Sequence, residues 1–205
     1  MTRPLLLALT VAAAALAGAA SAQTFTPLDP KTIDDWRTAD LGSGVSLDVP
    51  RAVGDAYRPA DTTDSALALF RVGVKDAGEM YCALDRLDYS KPPLGMNRSR
   101  ALDFLTNAAP GIFCHGVGAG VRENFAQAAD SKQGYPGSRC VASYSDRQGG
   151  ATEGDVIHAR TVVAPDAVYL LTCTVRDQDQ ARAETDWETI WRPRITHVED
   201  SLKLP

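Results

Sequence analysis

Several segments of this 205-residue chain alternate apolar with polar residues and are bounded by turn-forming residues. In the first of them, Val45, Leu47 and Val49 alternate with polar residues before Pro50, which cannot donate to a strand ladder. A period of two is typical of a β-strand with one buried face. The pattern therefore predicts strands at 45–49, 66–74, 80–88, 139–145, 155–163 and 167–175.

Two other segments have the period of a helix. Asn97 is a helix cap for residues 98–108, and Asp177 with Gln180 forms a capping box ahead of a second helix that Pro193 kinks or divides. The apolar stripe of this second helix consists of Trp187, Ile190, Trp191, Ile195, Val198 and Leu202. We expect the stripe, including its tryptophans, to pack on the sheet rather than to form a ligand platform. The fold class is therefore α+β, a single antiparallel sheet of about six strands flanked by helices.

Residues 111–137 are the least regular part of the chain by pattern. Glycines recur in this segment, at Gly116, Gly118, Gly120 and Gly134, and residues 122–129 read as one short helical piece. The glycines lack the lysine and serine or threonine of a phosphate loop, so we interpret them as a flexible loop.

The first 22 residues have the features of an export signal. Arg3 precedes an apolar run that ends in Ala20-Ser21-Ala22, and the run is too short to cross a membrane as a helix. We expect cleavage before Gln23 and one domain over residues 23–205. No cysteine lies near the cleavage point for acyl anchoring, so the expected location is the bacterial periplasm or the medium.

Four cysteines in an exported chain indicate two disulfides, for which three connectivities exist. Centring the last hairpin on Pro165 places Cys173 opposite Ile157, with Cys140 two strands away at the other end of the sheet. Their Cα atoms would then lie more than ~10 Å apart, beyond the ~7 Å limit for a bridge. This reasoning disfavours Cys140 with Cys173.

Two pairings remain for these cysteines. Either Cys82 pairs with Cys173 and Cys114 with Cys140, or Cys82 pairs with Cys140 and Cys114 with Cys173. We prefer the first, because a bridge from Cys114 to Cys140 closes the glycine-rich segment. Pairing of Cys114 also argues against its use as a nucleophile activated by the adjacent His115.

Charge and motifs exclude several functions. The net charge of −5 and the scattered basic residues argue against nucleic acid and membrane surfaces as partners. We find no nucleophile elbow, metalloprotease helix, Cys-x-x-Cys pair or dinucleotide fingerprint. His115, His158 and His197 lack metal-ligand spacing, so we expect neither a metal nor a cofactor.

A tryptophan precedes the strand Val-Ser-Leu-Asp-Val-Pro. The chain has a βββα ending that finishes as Ile195-Thr196-His197-Val198-Glu199-Asp200-Ser201-Leu202-Lys203-Leu204. Together these features resemble the PsbP-like family. The resemblance covers most of residues 36–204. It implies a PsbP-like sandwich and a non-catalytic accessory protein that docks on or assembles a larger complex. It transfers no catalytic residue.

We therefore expect a non-catalytic periplasmic protein that contacts another envelope protein or a small ligand. The longest irregular segment, 111–137, is the expected contact surface, with Phe113, His115, Arg122 and Tyr135 meeting the partner. One alternative is an inhibitor of an exported hydrolase whose active-site cleft this segment plugs. The other is a hydrolase with a site built from His158 and nearby carboxylates.

Overall fold

The computed structural model describes residues 32–53, 65–74, 77–114, 121–146, 153–177 and 185–205. The expected signal peptide, residues 1–22, lies outside this range. Eight strands occur within the described part of the chain. They are β1 (Trp36–Gly42), β2 (Val45–Pro50), β3 (Ala66–Val74), β4 (Gly78–Leu87), β5 (Val121–Lys132), β6 (Tyr135–Asp146), β7 (Glu153–Val163) and β8 (Val168–Asp177).

The main sheet has six antiparallel strands in the order β3-β4-β8-β7-β6-β5, while β1 and β2 form a separate two-stranded sheet. The prediction of six antiparallel strands is confirmed, but the prediction of one sheet that includes 45–49 is wrong. Residues 36–42, which carry Trp36, are the strand that pairs with β2. A tight turn over Gly42, Ser43 and Gly44, all with positive φ, joins these two strands locally.

Segment 111–137 is not one irregular loop, and residues 122–129 are not helical. Strand β5 occupies residues 121–132 and pairs with β6 through a two-residue turn at Gln133 and Gly134. Both turn residues have positive φ, as a type I′ turn requires. Strand β5 lies at the edge of the sheet. Its side chains from Ala126 to Ala129 are exposed, so the core imposes no apolar alternation on them.

The helices are short. Helix α1 (Arg98–Asp103) continues as a π-helical turn (Phe104–Ala108), and the Asn97 side chain accepts a 3.0 Å hydrogen bond from the Arg100 amide as its cap. Helix α2 (Arg192–Ser201) follows a π-helical turn (Trp187–Trp191). Asp177 ends strand β8 instead of capping a helix, and Gln180 lies outside the described residues. No helix in the described residues is long and apolar enough to span a membrane.

The two faces of the main sheet carry separate cores. On the α2 face, the apolar stripe of α2 and the β1-β2 sheet pack on β3, β4, β8 and β7. On the α1 face, α1 and its π-helical turn pack mainly on β6, β7 and β8. Trp191 and Val198 are fully buried, which confirms that the terminal stripe packs on the sheet. Trp191 Nε1 also donates a 2.9 Å hydrogen bond to the Ala77 carbonyl.

Two disulfides join Cys82 to Cys173 and Cys114 to Cys140, the pairing preferred from the sequence. The register expected for these strands is wrong, because Cys173 lies opposite His158 and Cys140 lies opposite Ala159. Cys140 and Cys173 therefore occupy adjacent rows of the sheet, not opposite ends. They remain apart because consecutive rows point to opposite faces.

Candidate functional site

Each covering layer leaves half of its sheet face open. On the α2 face, the open half lies over the outer strands β5 and β6, where Ala126 and Ala128 are exposed and Val141 is half-buried. On the α1 face, the open part lies over β3 and β4. There Arg71 is exposed and pairs with Glu79, whose carboxylate also accepts a 2.6 Å hydrogen bond from Tyr81.

The open half of the α2 face contains a groove of about 430 Å³. Its lining consists of Phe125, Ala126, Val141, Ser143, Val156, Trp187 and Glu188. The floor comes from strands β5, β6 and β7, and the wall comes from the π-helical turn that precedes α2. A concave surface of this volume falls within the ~300–1,000 Å³ range of small-molecule sites.

The pairing register of β5, β6 and β7 determines which side chains form the floor of the groove. Ala126 lies opposite Val141, and Val141 lies opposite His158, so these three residues form one row across β5, β6 and β7. Ser143 and Val156 form the next row on the same face. Small or β-branched side chains in both rows leave the space that the groove occupies. His158 borders this floor, and its ring centroid lies 5.9 Å from that of Trp187 in the wall.

A cluster of buried charges adjoins the groove beyond His158. His158 Nδ1 lies 3.0 Å from Oε1 of Glu199, which projects from α2 and is 2% exposed. Arg160 lies 2.7 Å from Asp130 on β5 and donates to the Glu199 carbonyl at 3.2 Å. Arg139 lies 2.9 Å from the same oxygen of Asp130 and 4.0 Å from Glu199. The cluster therefore ties α2 to three strands of the sheet.

The opposite charges in this cluster stabilise each other's ionised forms. Burial raises the pKa of Asp130, but hydrogen bonding from Arg139 and the charge of Arg160 outweigh it and hold that pKa below its usual range. The hydrogen bond to Asp130 correspondingly raises the pKa of Arg139 above its ordinary value. The Asp130 carboxylate and the guanidinium groups of Arg139 and Arg160 therefore make their contacts within the protein. Among the described residues, no group of three or more His, Cys, Asp and Glu side chains could hold a metal ion.

Two of the contact residues expected from the sequence, Phe113 and Tyr135, pack with the cores on opposite faces of the sheet. Phe113 is partly buried against the α1-face core, whereas Tyr135 packs against the α2-face core and donates a 3.0 Å hydrogen bond to the Pro205 carbonyl. Arg122 lies in β5, opposite Tyr144. His115 lies outside the described residues. Cys114 is bonded to Cys140, so no thiol is available beside His115.

The sequence pattern does not identify the groove residues as a site. Periodicity assigns Trp187 to the packed stripe, and it is 8% exposed, yet it also forms the groove wall. Val141 and Val156 have the pattern of ordinary strand residues. Ala126 falls in the short helical piece predicted over residues 122–129. Its exposure beside an apolar floor depends on the pairing of β5 with β6, which the Gln133-Gly134 turn could have indicated.

No family model matches the chain, and no curated protein is significantly similar to it. Solved structures that resemble it include PsbP (CyanoP) from the cyanobacterium Synechocystis, with 13% identity over 83% of this chain and 93% of that one and a TM-score of 0.44. The Ran-binding protein Mog1p of Saccharomyces cerevisiae is 12% identical over 82% of this chain and 94% of its own, with a TM-score of 0.44.

LpqN of Mycobacterium tuberculosis, described as involved in cell envelope biogenesis, is 15% identical over 83% of this chain and 80% of its own, with a TM-score of 0.36. These likenesses are too distant to assign a site or an activity. The structural neighbours of the chain include a PsbP protein, the family that its element order and short motifs resemble.

Proposed function

We propose that this chain is an exported, non-catalytic binding protein and that the groove beside Trp187 is its binding site. The observation that carries the proposal is the open half of the α2 face, where an apolar floor meets a helical wall. The groove receives an uncharged apolar group, supplied by a small molecule or by a side chain of another envelope protein. Burial of this group against the floor and the Trp187 ring provides the affinity.

The charge distribution supports an uncharged ligand. Glu188 is the one ionisable residue among those that line the groove, and its carboxylate lies 2.6 Å from the guanidinium of Arg192, one helical turn away. A charged ligand would have to displace this pair or lose hydration without a partner, which costs free energy. The Phe125 ring packs with the α1-face core, so the apolar surface of the groove comes from Ala126, Val141, Val156 and the Trp187 ring, with a hydroxyl from Ser143.

The role of the buried charges supports binding over hydrolysis. Glu199, the carboxylate nearest to His158, lies beneath α2 and is 2% exposed. Its position between His158 and Arg139 fits a role in holding α2, and thereby Trp187, against the sheet. The inhibitor alternative needed a long loop at 111–137, and the middle of that segment is strand β5.

Export is part of the same proposal. The first 22 residues have the pattern of a cleaved signal, and both cysteine pairs form buried disulfides, which persist in oxidising compartments such as the periplasm. The test for location is the intact mass of the protein recovered from the periplasm. We expect a chain that begins at Gln23 and gains four hydrogens on reduction, whereas a full-length or thiol-containing product would contradict export.

The test for the groove uses the uncharged fluorophore N-phenyl-1-naphthylamine and two substitutions on β5. Ala126 lines the groove, whereas Ala128 is exposed two residues further along the same face and does not line it. We expect Ala126→Leu to fill the groove and weaken saturable binding about tenfold or more, the effect of ~1.4 kcal/mol, and Ala128→Leu to bind as the wild type does. Equal binding by both variants would place the site elsewhere.

A further inference from the structure

The outer edge of strand β5 is exposed. This strand is the last of the six in the main sheet, and β6 is its partner among the strands that the structure describes. Its residues from Ala126 to Ala129 are all exposed. A strand at the edge of a sheet presents backbone N–H and C=O groups on its outer side, and these groups pair with another extended chain. The outer edge of β5 therefore has the geometry of a site for strand addition.

The pairing register identifies the residues that present these groups. Lys132 and Tyr135 flank the two-residue turn, so they form a hydrogen-bonded pair. Along an antiparallel ladder, such pairs alternate with pairs that exchange no hydrogen bond. Counted back from the turn, Gln127 and Ala129 occupy positions of the second kind. Their N–H and C=O groups therefore point away from β6.

These outward groups are open to a partner strand. Within the described part of the chain, no backbone hydrogen bond outside the helices and strand ladders involves Gln127 or Ala129. The carbonyl of Ser131, two residues further on, differs because it accepts a 3.1 Å hydrogen bond from Arg160. Gln127 and Ala129 thus offer two donors and two acceptors to an incoming strand.

The two edges of the sheet differ in their protection against pairing. Edge strands are commonly protected by charged side chains, proline or bulges. Strand β3, at the other edge, carries the exposed Arg71 and has a register shift near its start. In β5, residues 125–129 include no ionisable residue, proline or glycine, and the register shift precedes them. The nearest charge, Asp130, forms ion pairs with Arg139 and Arg160 of the same chain.

We propose that two copies of this chain join through their β5 strands, which run antiparallel about a two-fold axis at Ala128. In this register, Gln127 of each copy lies opposite Ala129 of the other. The two donors and two acceptors of one copy therefore bond to those of the second. Ala128 lies opposite Ala128 of the second copy in a pair without hydrogen bonds, where Cα atoms are ~4.5 Å apart and small side chains fit.

The run of residues in β5 is compatible with itself in this register. Ala126 lies opposite Asp130 of the second copy, and Phe125 lies opposite Ser131. No charged side chain therefore faces a like charge, although the chain carries a net charge of −5. Because both copies use the same edge, the assembly closes at two copies and does not extend into a fibre. The pairing does not depend on a ligand in the groove.

Sedimentation velocity and amide hydrogen exchange of the purified protein test this pairing. We expect the average mass to rise from one copy to two as the protein concentration increases from micromolar to millimolar. The amides of Gln127 and Ala129 should gain protection over the same range. Those of Ala126 and Ala128, which bond to β6, should be protected throughout. A dimer without this alternation contradicts the proposal.

A protein that stays monomeric also overturns the proposal. Protection of Gln127 and Ala129 that then appears only in a periplasmic extract would assign the edge to a strand of another protein.

Two double variants test the register. Gln127→Glu with Ala129→Glu places glutamates of the two copies opposite each other at two positions, whereas Gln127→Glu with Ala129→Lys places each glutamate opposite a lysine. Within the sheet, both positions lie opposite the uncharged Cys140 and Ser138 of β6. We expect the first variant to raise the dissociation constant of the dimer about tenfold and the second to stay within about threefold of the wild type.

Equal dissociation constants for the two variants overturn the proposed pairing. Urea unfolding of both variants checks that they fold, and the exchange pattern of the wild-type protein tests the same pairing without a substitution.

Discussion

Arg160 and Asp130 join two strands that are not neighbours, β7 and β5, by a contact of 2.7 Å between Nε and Oδ2 that crosses β6. The guanidinium of Arg160 is 3% exposed and also donates to the carbonyls of Ser131 and Glu199. One side chain thus holds the edge strand, the sheet and the C-terminal helix in a fixed arrangement. The groove lies between the same edge strand and the turn that leads into this helix.

We predict that Arg160→Met destabilises the fold strongly. The change removes one of the two cationic partners of the Asp130 carboxylate and leaves two backbone carbonyls without their donor, for which a loss of about 3 kcal/mol is typical. Arg51→Met is the matched control, because Arg51 and Asp35 form a pair whose side chains are 61% and 62% exposed. Removal of an exposed pair changes stability by less than about 1 kcal/mol. Urea unfolding of both variants decides the matter, and similar losses would contradict the role of Arg160.

We predict that Asp85→Asn stabilises the protein at neutral pH. Burial raises the pKa of Asp85, and the hydrogen bond from the Ser65 hydroxyl at 3.2 Å offsets this only in part. A carboxyl whose folded pKa lies above its unfolded value costs stability once the pH exceeds the unfolded value, and the cost vanishes below it. The gain should therefore be present at pH 7 and absent near pH 3 in denaturant unfolding.

Asp88→Asn is the control of opposite sign. Hydrogen bonds from the Ser90 amide and hydroxyl lower the pKa of Asp88. Loss of this charge should destabilise the protein at pH 7. The account of Asp85 fails if its variant is less stable than the wild type at pH 7, or if the gain persists at pH 3.

The two disulfides should contribute unequally to stability. They close segments of 91 and 26 residues, on opposite faces of the sheet. Loop entropy predicts losses of about 4.6 kcal/mol for the double substitution of Cys82 and Cys173 by alanine, and about 3.5 kcal/mol for that of Cys114 and Cys140. Equilibrium unfolding of the two double variants measures the order. A larger loss for the shorter loop would show that contacts of the Ile112–Cys114 turn, rather than loop entropy, dominate.

Local pattern was sufficient for five strands of the main sheet. Strands β3 and β4 alternate buried with less buried side chains. Strands β7 and β8 supply buried residues to both cores, and their apolar runs still indicate strands. Local pattern failed for β5. Its exposed run Ala126–Gln127–Ala128–Ala129 has the propensity of a helix. The run forms a strand because it pairs with β6 over a long range. Local pattern also failed to separate β2 from the main sheet, because alternation does not identify the partner strand.

The candidate site required information that no local pattern contains. Trp187 belongs to the buried stripe by periodicity, and only the position of α2 over one half of the sheet makes its ring a groove wall. The meeting of His158 with Glu199 joins residues 41 positions apart through the packing of α2 on β7. The Asn97 helix cap could be predicted from the sequence because it depends on local turn chemistry. The cysteine pairing could be predicted because it depends on connectivity.

The most direct test of the groove as the binding site is amide chemical-shift mapping of the full protein during titration with N-phenyl-1-naphthylamine. We predict that the largest shifts fall on Ala126, Val141, Ser143, Val156 and Trp187 and saturate together with the fluorescence signal. Saturable shifts centred instead on the open half of the α1 face, around Arg71 and Tyr81, would contradict the account.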